Sequence, residues 1–95
     1  MGAVSKDSIK DLMTIPGVGK SIANDLLLLG YSRVKDLMDQ DPQIMYDKMC
    51  EITHSHQDRC LLYVFRCAVY FASNTYYDPE LLKWWNWKDK PIIKM

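Results

Sequence analysis

The segment TIPGVGKSIANDLLLLG, residues 14–30, places Gly17, Val18, Gly19, Lys20 and Ser21 at the start of an apolar pattern of helical period. Those residue types in that order suit phosphate binding: backbone N–H groups unshadowed by a Cβ, a point charge, and a hydroxyl donor. A nucleoside-triphosphate loop would need a glycine five positions before Gly19 and a parallel strand leading into it. Thr14 stands at that position and the preceding residues have helical period, so the triphosphate reading fails. A second use of the same residues survives. Pro16 ends one helix, Gly17 and Gly19 turn the chain, and the next helix begins with unpaired amides and about half a positive charge. Such an end holds one phosphate without reading any base.

Two other groupings carry chemistry. Cys50, His54, His56 and Cys60 form Cys-x3-His-x-His-x3-Cys, soft and imidazole ligands of the kind zinc takes. Against this stand two exposed histidines in a turn and cysteines that pack as small apolar groups, with Cys60 and Cys67 on one helix face, so no metal or cofactor is expected. Trp84, Trp85 and Trp87 lie beside Lys83, Lys88, Lys90 and Lys94. That mixture either stacks on single-stranded bases and pairs with phosphates, or folds back to close the core of a small protein.

The elements that must position these groups are helical throughout. Ser5 and Ser8 are candidate caps for a first helix with Ile9, Leu12 and Met13 on one face, and residues 20–29 form a second, ended by Gly30. Ser32 is placed to cap a third through Met38. Asp41-Pro42 opens a fourth with Ile44, Met45, Met49 and Ile52 inward. A fifth runs from Asp58 to about Ala72 with Leu61, Val64, Cys67, Ala68 and Phe71 inward, and Asp78-Pro79 opens a short last one. No stretch alternates with period two for long enough to make a strand, so the class is all-α.

Ninety-five residues make one small domain with little room for a deep active site. Formal net charge is zero, which excludes a polybasic binder and requires any polyanion contact to be local. Acids outnumber bases between Asp39 and Cys60, the less suitable face. An odd three cysteines, no leader pattern and no apolar run long enough for a bilayer predict a reduced, cytoplasmic protein without membrane contact.

Ile15, Pro16, Gly17, Val18 and Gly19, then Ala23 and Leu26, together resemble the helix-hairpin-helix motif. The resemblance implies a non-specific grip on a DNA or RNA backbone. Such motifs often come in tandem, and an offset of thirty-seven residues sets Ile52 on Ile15, His54 on Gly17, His56 on Gly19 and Cys60 on Ala23. The expected architecture is a single domain, 1–95, built as a tandem helix-hairpin-helix. It would be a SAM-domain-like five-helix unit with a first hairpin and connector (5–38), a degenerate second hairpin (42–73) and an aromatic segment with a short helix (78–95). The early hairpin, DRCLLYVFRCAVYFA and WWNWKD look like the bacterial pathogenicity-locus family, small helix-hairpin-helix proteins sometimes labelled mitomycin-resistance or competence-associated. That likeness spans nearly the whole chain and implies a DNA-related role.

The expected function is therefore a non-enzymatic DNA-binding module. It would grip the phosphate backbone weakly through Gly17, Val18, Gly19, Lys20 and Ser21, as an accessory to repair, uptake or recombination. The rival is a protein-interaction domain whose hairpin is purely structural, with Tyr31, Tyr46 and the tryptophans as contact surface. Arg59 and Arg66, seven apart on one helix, either meet a phosphate or pair with Asp58, Asp78 or Glu80.

Overall fold

The computed structural model describes residues 4–88; Lys90, Lys94 and the rest of 89–95 lie outside the described residues. These residues form four α-helices and three short 3₁₀ turns, with no strand among them. Helix α1 spans Val4–Leu12, α2 Lys20–Leu28, α3 Pro42–Thr53 and α4 Arg59–Ser73. The 3₁₀ turns are Val34–Leu37, Pro79–Leu82 and Trp84–Trp87. The chain is all-α, with α-helices at four of the six expected places.

The differences have local causes. Helix α1 starts at Val4, so neither Ser5 nor Ser8 is its cap, and Ser8 is buried. The helix ends well before Pro16 because the residue preceding a proline avoids helical geometry. The chain tightens instead through Thr14 N–H to the Asp11 carbonyl and Ile15 N–H to that of Leu12, both 3.1 Å. Ser32 caps nothing: its amide and hydroxyl, with the Arg33 amide, all donate to the Asp36 carboxylate at 3.0–3.3 Å. Those bonds hold the Asp36 carboxyl below its usual range, the Ser32 amide contributing most. The Val34 amide then donates to Asp11 Oδ2 at 2.8 Å, pinning this turn to α1.

Asp41 caps α3 as expected, accepting from the amides of Gln43 (2.9 Å) and Ile44 (3.4 Å) with proline in the first turn. The buried stripe of α3 is Met45, Tyr46 and Met49, whereas Ile44 and Ile52 face solvent. Rotation by one position is possible because the Tyr46 hydroxyl finds the Gln57 carbonyl, so its ring can enter the core with its polar tip satisfied. Asp58 caps α4 through the Cys60 amide at 2.9 Å.

Helix α4 is the centre of the molecule. Its Leu61, Leu62, Val64, Phe65, Cys67 and Ala68 are all buried, and it packs against α3 and all three 3₁₀ turns. Each such aliphatic or large aromatic side chain contributes roughly 1.5–3 kcal/mol of burial, and this helix supplies more of the buried core than any other element. Leu12, Ile15, Val18, Ala23 and Leu26 bring the α1–α2 pair onto the same core.

The positions set opposite one another by the thirty-seven-residue offset agree in part in backbone, since Ile52 lies within α3 while Ile15 lies beyond the end of α1, and they differ in burial. Gly17 and His54 are both left-handed, at φ +88° and +55°. Yet Ile15 and Ala23 are sealed in the core while Ile52 and Cys60 are exposed. Cys67 is buried and Cys60 is not, so the two do not share a packed face.

Candidate nucleic-acid interface

Residues 15–18 explain why the sequence turns where it does. Val18 N–H donates to the Ile15 carbonyl at 3.0 Å, Pro16 occupies the second position, and Gly17 the third at φ +88°. That is the signature of a type II turn, in which proline presets one dihedral and only glycine takes the next without strain. The two apolar residues flanking it, Ile15 and Val18, are both buried and clamp the turn to the core.

Gly19 follows in an extended conformation and begins α2. Its carbonyl accepts the first helical bond, from Ala23 N–H at 2.9 Å. Helix α2 differs from α3 and α4 at this end: no side chain caps it, whereas Asp41 and Asp58 cap the other two. Among the described residues no acceptor takes the amides of Gly17, Gly19, Lys20 or Ser21. All four residues are exposed, and the space around Gly19 is open, with nothing within 4 Å of where a Cβ would stand. The expected donor set is thereby narrowed. Val18 spends its amide inside the turn and its side chain in the core, so it offers nothing outward.

Two partners distant in sequence hold the turn from behind. A Cβ on Gly17 would stand 2.8 Å from Trp84 Cδ1, so the indole lies directly against the glycine. The Cys67 thiol, on α4, faces the carbonyls of Leu82 (3.4 Å), Leu81 (3.6 Å) and Pro16 (3.9 Å). Burial pushes that thiol up to about 11. Sequence reasoning placed Cys67 inward but had no signal for either contact with the turn, since both cross more than fifty positions.

The remaining candidates are dispersed. Cys50 is half-buried while His54, His56 and Cys60 are exposed, and no three His, Cys, Asp or Glu side chains among the described residues converge as a metal site. Arg66 donates to the Trp87 carbonyl at 2.7 Å and lies over the Tyr63 ring, a structural duty. Trp87 is buried with its Nε1–H on the Leu81 carbonyl at 2.8 Å, Trp84 is half-buried, and Trp85 is exposed. Tyr46 is buried and so offers no contact surface, while Tyr31 is half-buried with its hydroxyl donating to Gln40. A cleft of about 400 Å³ lies between Asp11, Arg33, Lys35, Phe71 and Tyr77 and shares no residue with the turn. No helix among the described residues is long and apolar enough to cross a membrane.

Residues 5–91 match the family described as pathogenicity locus. The chain is also 31% identical over 77 residues to the mitomycin resistance protein McrB of Streptomyces lavendulae, covering 81% of this chain and 70% of that protein. No solved structure matches it.

Proposed function

The chain belongs to the pathogenicity-locus family, and we propose that within it this protein is a DNA-binding module that holds a backbone phosphate on the turn leading into α2. The observation that carries the reading is the uncapped start of that helix: exposed, unpaired amides at Gly17, Gly19, Lys20 and Ser21 beside the Lys20 ammonium. An anion there gains fixed donors and the positive end of the helix dipole at no cost in rearrangement. The open space at Gly19 supports the reading further, because the fold itself makes no steric demand for glycine at that position.

In this proposal the 15–21 turn is a helix-hairpin-helix. The connection after α3, left-handed at His54, is its degenerate counterpart in a SAM-domain-like arrangement. Only the first turn grips, since His54 and His56 put side chains where a phosphate would approach. The module binds rather than reacts and reads no sequence. One turn neutralises one or two phosphates, so binding is weak, with a log–log salt slope of about −1 to −2. Accessory work in repair, uptake or recombination fits such a grip, and the relative's name records mitomycin resistance.

Lys20→Ala tests the reading by titration of labelled DNA at several salt concentrations. It is expected to weaken binding and to flatten the salt slope by up to about one unit. Unchanged affinity and slope would leave the turn structural and hand the protein to the interaction-domain reading, whose surface would then be the exposed Leu28, Ile44 and Trp85.

A further inference from the structure

Of the three tryptophans, two have evident structural work. Trp87 is buried and hydrogen-bonded, and Trp84 fills the back of the turn against Gly17. Trp85 is left with 55% of its surface in water. Large rings in a small protein gain most by burial, so an indole exposed on an ordered segment forgoes what its neighbours use.

Its position is specific. Trp85 meets Trp84 edge to face, with ring centroids 5.7 Å apart and an interplanar angle of 87°. The turn, Trp84 and Trp85 are therefore successive neighbours: glycine against one indole, that indole against the next. The segment is held immediately after Trp85. Asn86 donates to the Glu80 carbonyl at 2.8 Å, and Arg66 clamps the Trp87 carbonyl at 2.7 Å. Lys83 and Lys88 are exposed on either side of the three tryptophans, Lys83 in an exposed pair with Glu80. An exposed indole beside Lys88 and the Lys83–Glu80 pair, joined to the turn through Trp84, has the composition of a single-strand stacking platform.

We propose that Trp85 stacks on an unpaired base of the strand whose phosphate is held at the turn, making single-stranded DNA the preferred substrate. This inference rests on the phosphate-binding reading above and adds the form of the nucleic acid to it. Bases in a duplex are already stacked and offer no face to the indole, whereas every unpaired base does. Selection is thus for strandedness, not for sequence.

The test measures binding of labelled oligodeoxythymidylate and of a duplex of equal length to the full chain, by fluorescence anisotropy and by quenching of tryptophan emission. Wild type is expected to bind the single strand more tightly and to be quenched by it. Trp85→Ala is expected to lose roughly tenfold or more of its single-strand affinity with duplex affinity unchanged, and Trp85→Tyr to keep most of it. Gly19→Asp should weaken both forms, since it acts on the shared phosphate. Equal affinity for both forms, or a Trp85→Ala loss that is the same for both or nil, overturns the platform and leaves the phosphate grip standing. Absence of binding to either form overturns both together. Circular dichroism of the variants, expected to match wild type for an exposed ring, separates these outcomes from misfolding.

Discussion

Replacing Gly19 with Asp would give α2 the cap that α3 and α4 already have, and so sets stability against binding in one substitution. The position accepts the change: φ is −98°, the backbone is extended, and a Cβ meets nothing within 4 Å. Asp41 shows the geometry expected, its carboxylate accepting from the amides two and three residues on at 2.9 and 3.4 Å. At Gly19 those amides belong to Ser21 and Ile22. Exchanging a glycine cap for aspartate is worth a few tenths of a kcal/mol, and a charge at the helix start adds about 0.3–1. A gain of about 0.5–1 kcal/mol raises Tm by roughly 2–8 °C in a domain of this size. The same carboxylate takes the Ser21 amide from the phosphate's donor set and sets a negative charge beside the other three donors. Losing one charge-assisted hydrogen bond, worth about 1.5–3 kcal/mol, costs tenfold or more in affinity, and the salt slope should fall by about 0.9 for the phosphate given up. Thermal unfolding and a DNA titration at several salt concentrations read both effects. A variant that is more stable and binds DNA with wild-type affinity and slope would refute the assignment of this helix end as the phosphate site.

Other consequences can be measured on the same protein. Gly17→Ala forces an L residue to φ +88° and drives its Cβ to 2.8 Å from Trp84 Cδ1. The expected loss is about 2–4 kcal/mol from left-handed strain and overpacking together, read by urea unfolding; a loss under about 1 kcal/mol would mean the turn is not held as described. The Cys67 thiol is raised by burial from 9.0 to about 11, so the folded state holds its proton longer than the unfolded chain. That contribution is complete below about pH 9 and fades as pH climbs through about 11, up to roughly 3 kcal/mol. The stability of wild type relative to Cys67→Ala should therefore shrink over that interval, and a gap constant to pH 11 would contradict it.

What the sequence determined by itself was local. The all-α class, the Asp41-Pro42 cap, the start of a helix at Asp58, the Gly30 terminus and the Pro16-Gly17 turn each follow from residues within about four positions of one another, the range over which helical period and capping bonds act. The start of α2 was legible for the same reason, because unpaired amides at a helix end are a property of the chain there.

Tertiary structure decided which faces are buried and what stands behind the turn. The α3 stripe rotated onto Tyr46 because a carbonyl on the connection to α4, at Gln57, was there to receive its hydroxyl. Cys60 stayed in water although Ala23, its counterpart by offset, is sealed. Val18 lost its amide to a bond that the helical pattern did not require. Trp84 came to rest against Gly17 and Cys67 beneath Pro16, across separations of more than fifty residues. Contacts of that range depend on how amphipathic helices share one small core, a choice made by the whole set of packed volumes and satisfied polar tips that no short window of residues contains.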